Sequence, residues 1–281
     1  MTNSAKIGRI YGGVDVGSLG TKSVVLRDGA IAGSAIIRSR LNSEEGGLAA
    51  LAEALNNAGI ERSDVHHIVA TGYGRISATY ASKTVTEISC HAKGANYLFP
   101  NVRTIIDIGG QDCKAIRVDP DGTVADFAMN DKCAAGTGRF LEVMANLFDV
   151  SIAKLGELSL EAECIVPMSS TCTVFVESET ISLLARGEKP HNIQAGIHHS
   201  ISQRIAGLFA RVGIQSDVYF SGGVAKNVGM RKALEEVLKV KIVEPIVDPQ
   251  LTGALGAAVL AQALGAKEAR RASRALAATA E

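Results

Sequence analysis

The stretch Asp15-Val-Gly17-Ser18-Leu-Gly20-Thr21-Lys22 recurs 92 residues further on, from position 15 to position 107, as Asp107-Ile-Gly109-Gly110-Gln111-Asp112-Cys-Lys114. Asp, Gly and Lys keep the same spacing in both copies. Each copy follows an apolar run, Arg9 to Val14 in the first and Thr104-Ile-Ile106 in the second. Each leads into another, Ser23-Val-Val-Leu26 and Ala115-Ile116. The pattern reads as strand, tight turn, strand. Asp28-Gly29 and Asp121-Gly122 then turn the chain again. A repeated strand–turn–strand unit points to an α/β chain of two duplicated lobes with a nucleotide-sized cleft between them.

The glycines of each turn let backbone approach a ligand closely, and the amides and hydroxyls around them can ring an anion. Gly17, Ser18, Gly20 and Thr21 form one such nest, and Gly109 and Gly110 the other. Asp15 and Asp107, each at a strand end, suit a Mg²⁺ ion that keeps most of its waters. Lys22 and Lys114 are placed to neutralise phosphate. Gln111 and Asp112 are candidates to orient a water in line with a γ-phosphate. Neither a G-x-x-x-x-G-K-[ST] loop nor a G-x-G-x-x-G turn between strand and helix is present, so P-loop and Rossmann chemistry are excluded on motif. Two facing loops of this kind resemble those of the actin/Hsp70/sugar-kinase fold.

Outward from the loops, residues 44–58 have helical spacing, with Leu48, Leu51, Ala52 and Leu55 on one face and Gly59 as the stop. Ile68 to Thr71 reads as a short strand. Helices are expected from Cys133 to Phe148, Cys172 to Arg186 and Ile193 to Val212, the last two ended by Gly187 and Gly213. Val218 to Ser221 is a strand running into Gly222-Gly223-Val224, a turn suited to packing on ribose or adenine. A small-residue helix follows near 251–264. The expected lobes are residues 1–95, with the helix at 250–265 packing back on them, and residues 96–249. Residues 266–281 form a basic tail, expected to be a solvated helix end.

With 281 residues, 47% hydrophobic and 21% charged, the chain can bury a full core. Its net charge is +0, so nothing draws it to nucleic acid or an anionic membrane. Met1 to Gly12 lacks the apolar region of a signal peptide, and no apolar run is long enough to span a bilayer. A cytoplasmic protein is expected. Five cysteines, at 90, 113, 133, 164 and 172, form no CxxC pair. Their odd number argues against a disulfide framework. Cys90, Cys113 and Cys164 read as small buried hydrophobes. Cys133 and Cys172 differ. Each follows N-cap candidates, Asn130-Asp131 and Ser169-Ser170-Thr171, and a helix start favours a thiolate. One chain supplies two such cysteines, whereas a [4Fe–4S] cluster takes four thiolates, so a two-fold dimer would complete it. Spacing alone leaves open a pair of inert buried thiols.

Five segments carry a specific resemblance: Ala70 to Arg75, Glu87 to Ala92, Asp107 to Asp112, Asn130-Asp-Lys-Cys133-Ala-Ala-Gly136-Thr137-Gly138-Arg-Phe-Leu141, and Ser169-Ser-Thr-Cys172-Thr-Val-Phe175. Over residues 10–262 the chain resembles the 2-hydroxyacyl-CoA dehydratase activators, a family that also includes the ATP-binding subunits of benzoyl-CoA reductases. The resemblance implies a homodimer bridging one [4Fe–4S] cluster, with Cys133 and Cys172 as this chain's ligands. It implies MgATP binding, with Gly136, Thr137, Gly138, Glu142, Gly222, Gly223, Val224 and Gln250 joining the loop residues around the nucleotide. It implies reduction by a flavodoxin or ferredoxin, and ATP-driven transfer of one electron to a 2-hydroxyacyl-CoA dehydratase or a benzoyl-CoA reductase-like component. The other class of function, a small-molecule kinase of the same fold, would need an acidic base beside a substrate pocket and no cluster.

Overall fold

The computed structural model describes residues 8–169 and 172–278. It divides into two compact units, one built from the described parts of residues 1–98 and 251–281, the other from Phe99–Gln250. The signal-peptide reading of the N-terminus falls largely outside the described residues.

In the first unit, β1 (Ile10–Val16), β2 (Gly20–Arg27) and β3 (Ala30–Arg38) form an antiparallel meander. Helix α1 (Ser43–Ala58) leads to β4 (Val65–Thr71) and the two-residue β5 (Lys83–Thr84), and α2 (Glu87–Leu98) follows. Strand order is β3-β2-β1-β4-β5, with β4 parallel to β1. The second unit repeats the plan. β6 (Thr104–Ile108), β7 (Cys113–Val118) and β8 (Val124–Asn130) form the meander. The chain then makes α3 (Gly138–Leu147), α4 (Ile152–Ser159), α5 (Thr173–Ala185) and α6 (Pro190–Val212) before β9 (Val218–Ser221) returns parallel to β6. The order β8-β7-β6-β9 is the first sheet's β3-β2-β1-β4 again. Helix α7 (Val228–Leu238) completes this unit, and α8 (Thr252–Ala278) belongs to the first.

The central strands β1 and β6 are buried because their alternation is replaced by near-continuous apolar runs. All seven residues of β1 and all five of β6 are buried. Parallel pairing on one side and helices on the faces require this. Helix α1 is capped by Asn42, whose side chain accepts from the amides of Glu44 and Glu45, and ends at Gly59 in the left-handed region. Its buried face is Ala50, Leu51, Ala54 and Leu55, so the expected face is turned: Leu48 and Ala52 are exposed. Tyr80 fixes this rotation, because its hydroxyl fills the space a side chain at Gly47 would need.

The small-residue helix α8 packs on α2, β1 and β4. A Cβ at Gly256 would collide with the carbonyl of Cys90, and one at Gly94 with the carbonyl of Thr252. The small residues therefore serve a close helix crossing. Beyond residue 265 the basic tail continues the same helix, with Arg270, Arg271 and Arg274 exposed and Glu268 reaching back to His67 at 3.1 Å.

The core of the second unit centres on β6, β7 and α6, with Ile106, Ile116, Phe140, Ile197 and Ile201 buried. Helix α6 also buries His198, and among the described residues neither ring nitrogen has a hydrogen-bond partner. Burial holds this imidazole neutral and pushes its pKa from 6.5 down to about 4. The unfolded chain therefore takes up a proton near pH 6.5 that the folded chain refuses until about pH 4, and stability falls across that window as pH falls. The whole window corresponds to about 3 kcal/mol. Urea unfolding at a series of pH values should show this slope in the native chain, and His198→Leu should flatten it.

Candidate functional site

Each repeat ends its first strand with a carboxylate facing a lysine across the hairpin. Asp15 pairs in register with Lys22 and Asp107 with Lys114. Both carboxylates are buried, and Asp107 keeps only 2% of its surface. The two differ in how tightly they are held. Lys22 Nζ lies 3.4 Å from Asp15 Oδ2 and remains partly exposed. Lys114 is fully buried, 3.1 Å from Asp107 Oδ2 and 2.8 Å from Asp112 Oδ1. Ser221 Oγ donates to Asp107 Oδ1 at 2.8 Å.

The turns between these strands are open. Ser18 is exposed, with Gly17 and Gly20 half-exposed beside it, and Thr21 is buried with its hydroxyl 3.2 Å from that of Ser39. Ser39 also donates to the carbonyl of Gly17 at 2.6 Å, bracing the turn. In the second turn the amide of Gly109 donates to the carbonyl of Asp112 at 3.0 Å, and Gly110 lies half-exposed. Gln111 stands exposed at the tip, while Asp112 is committed to Lys114. Of the two water-orienting candidates, Gln111 is exposed, and Asp112, paired with Lys114, keeps 25% of its side chain in solvent.

Ser221 and Gly222 lead into a 3-10 turn, Gly223–Lys226, and α7 starts only after Asn227 caps it. The amide of Gly222 donates to the carbonyl of Pro249, and Lys226 reaches Asp248 and Gln250. Gly223 is exposed, Val224 buried and Gln250 half-buried, beside Gly223. The same device closes β4 in the other unit. Thr71 pairs with Asp15 as Ser221 pairs with Asp107, and Gly72 starts a second 3-10 turn, Tyr73–Ser77. Sequence reading missed Ser221 and this correspondence. The signal is Thr71-Gly72 against Ser221-Gly222, hidden because four helices in the second unit destroy the constant period.

The start of α3 corrects one expectation. It begins at Gly138 with Thr137 as N-cap, five residues after Cys133. Asn130, read as a cap candidate, is the last residue of β8, and Gly136 at φ +93° prevents a continuous helix from Cys133. The turn of the second hairpin holds this helix start directly. Gly138 N–H donates to the Gly109 carbonyl at 2.8 Å and Arg139 N–H to the Gly110 carbonyl at 2.9 Å. Thr137 is buried, and Glu142 pairs with Arg139 at 2.7 Å.

The cysteines separate by environment. Cys90 and Cys113 are fully buried, and burial pushes their thiols up to about 12 and about 11. Both keep their protons, so they are inert. Cys164, expected inside, is exposed, because the turn after α4 carries it outward past the buried Ser159. Cys133 and Cys172 are half-buried. Cys172 caps α5, its carbonyl accepting from Val176 N–H at 3.0 Å, while Ser170 and Thr171 lie outside the described residues. Helices α3 and α5 touch. Two half-buried thiols, one five residues ahead of α3 and one at the N-cap of α5, have the donor chemistry of iron–sulfur ligands.

The model of the BadF/BadG/BcrA/BcrD ATPase family matches residues 13–261, and the chain belongs to that family. It is 50% identical over 250 residues to the activator of lactoyl-CoA dehydratase of Anaerotignum propionicum, covering 89% of this chain and 96% of that one. The crystal structure of the Acidaminococcus fermentans (R)-2-hydroxyglutaryl-CoA dehydratase component A superposes with a TM-score of 0.88 at 47% identity, over 92% of this chain and 99% of that one. The activator of the 2-hydroxyisocaproyl-CoA dehydratase from Clostridium difficile, with bound ADPNP, gives 0.86 at 44%, over 93% and 97%. A ROK family glucokinase from Streptomyces griseus, 11% identical with a TM-score of 0.56 over 90% and 99%, shares the fold alone. The architecture is that of the actin/Hsp70/sugar-kinase class. Among the described residues no helix is long and apolar enough to cross a membrane.

The two lysines should respond differently to removal. Lys114→Met leaves the buried Asp107 and the partly exposed Asp112 without their cation and should cost about 3–5 kcal/mol of stability. Lys22→Met removes a longer, partly hydrated pair and should cost no more than about 1 kcal/mol. Chemical denaturation of the two variants checks this.

Proposed function

We propose that this chain is an ATP-driven one-electron reductase that activates a 2-hydroxyacyl-CoA dehydratase. The observation that carries the reading is the pair of hydrogen bonds from Gly138 and Arg139 to Gly109 and Gly110. They tie the second phosphate-type turn to the segment that begins at Cys133. Nucleotide chemistry and an accessible thiol thus share one rigid piece of backbone. The 47% identity to a dehydratase component A and the ADPNP-bound relative support the dehydratase and the nucleotide parts of the reading.

In this reading the lobes are residues 1–95 with the helix at 250–265, and residues 96–249. The turns at 17–21 and 109–112 grip the phosphates. Asp15 and Asp107 hold a hydrated Mg²⁺, and Gln111 orients the attacking water. Gly136, Thr137, Gly138, Glu142 and the turn at 222–224, with Gln250, complete the nucleotide site. Cys133 and Cys172 of each chain in a homodimer hold one [4Fe–4S] cluster, which supplies a one-electron carrier. A flavodoxin or ferredoxin is the electron donor. Loss of the γ-phosphate releases the 109–112 turn, and α3 follows through its first two amides. The protein works in the cytoplasm of an anaerobe.

Protein purified without oxygen should carry about four irons per two chains. Cys133→Ser and Cys172→Ser should each abolish the visible absorption, whereas Cys164→Ser should not. Four irons per single chain, or a normal spectrum in Cys133→Ser, would refute the shared cluster. Hydrolysis gives an independent check. Asp107→Ala and Asp15→Ala should each lower Mg²⁺-dependent turnover on the order of 100-fold. Gln111→Ala should slow turnover while ATP affinity, measured by calorimetry, holds.

A further inference from the structure

Asn130 is the last residue of β8 and lies directly opposite Cys113 in the antiparallel register of β7 and β8. Its Nδ2 donates to the carbonyl of Cys133 at 3.0 Å. As cross-strand partners the two residues project from the same face of the sheet, so the Asn130 side chain stands beside the buried Cys113. Cys113 follows Asp112, whose carbonyl accepts from Gly109 N–H and whose carboxylate meets Lys114 at 2.8 Å. One carboxamide therefore touches the end of the second phosphate-type turn and the backbone of Cys133. The far end of the same segment is held by that turn as well, through Gly138 and Arg139. Between these ties the segment is stiffened by Thr137, whose hydroxyl donates to the Ala134 carbonyl at 2.7 Å.

We propose that Asn130 is a positioning residue that couples the conformation of the 109–114 turn to Cys133, with Cys113 as the intermediate contact. The proposal rests on the reading of that turn as a phosphate loop and of Cys133 as a cluster ligand. Asn is suited to the task because its carboxamide supplies the Nδ2 donor that the Cys133 carbonyl accepts from. Neither a carboxylate nor an aliphatic side chain can donate to that carbonyl. Displacement of the turn drags β7 at Cys113, and Asn130 must either follow, moving Cys133, or give up its part-buried hydrogen bond to the Cys133 carbonyl. Cys113 acts here through its protonated thiol and its position, which explains a fully buried cysteine beside a nucleotide loop that ligates nothing.

The test uses full-length, cluster-free protein, so that it does not depend on activity. Alkylation of Cys133 by iodoacetamide is followed by mass spectrometry of its peptide, with and without MgADPNP. In the native chain the nucleotide should change the Cys133 rate by about fivefold or more. In Asn130→Asp, which keeps shape but loses the donor, that ratio should fall to about one, while ADPNP affinity stays within about twofold. Cys113→Val should lower the ratio in the same way, and reads the same link if Asn130→Asp does not fold. A merely structural role would change the absolute rate and leave the ratio intact. Native-like ratios in both variants overturn the relay and leave the proposed function standing. A native chain whose Cys133 ignores the nucleotide also overturns it, and the iron content of the reconstituted protein then shows whether the cluster reading falls too.

Discussion

A buried carboxylate at the end of a central strand is costly unless a cation meets it, and both units meet that cost with the residue directly across the hairpin. In the second unit the arrangement is closed. Lys114 sits between Asp107 and Asp112, and Ser221 from the neighbouring parallel strand donates to the other oxygen of Asp107. This cluster locks β6, β7 and β9 into one register and sets the shape of the turn at 109–112. The first unit keeps the plan with a looser pair. The asymmetry gives the two hairpins different stiffness, and the stiffer one carries the connection to Cys133.

From that locked turn the geometry runs outward through backbone. Two carbonyls of the turn accept the first amides of α3, so the helix dipole is joined to the turn rather than open to solvent. The 133–137 segment is then held at both ends, and its cysteine is left accessible while Cys113, one strand away, is sealed. The thiols are thus divided by burial: Cys90 and Cys113 are sealed inside, and Cys133, Cys164 and Cys172 reach the surface. The same logic explains α8, where small residues permit a crossing with α2 so close that a methyl group would not fit.

The repeated Asp, Gly and Lys spacing was legible because a hairpin is local: its register is fixed by neighbours within eight residues. The family was legible for the same reason, since the segments around Cys133 and Cys172 are continuous. Four details were not. The face of α1 depends on Tyr80, more than thirty residues away. The start of α3 depends on Gly136 adopting positive φ, a choice made by tertiary packing. Cys164 reads as a buried hydrophobe by composition and is exposed because a turn carries it out. Ser221 looked like part of a glycine turn, and only parallel pairing with β6 brings it to Asp107.

By itself, then, the amino-acid sequence determined the duplicated hairpins, the α/β class, the absence of P-loop and Rossmann motifs, and the start of α5 at Cys172. Those properties rest on short-range periodicity and turn chemistry, which a chain carries wherever it is placed. Tertiary structure alone decided which lysine is buried between two carboxylates, which thiols keep their protons, and that Asn130 stands opposite Cys113 while donating to Cys133. Even where the partners are near in sequence, as Asp107 and Asp112 are to Lys114, their burial is set by segments packed over them from far along the chain. Their energies depend on the dielectric and on the partners that packing supplies, and no local pattern encodes either.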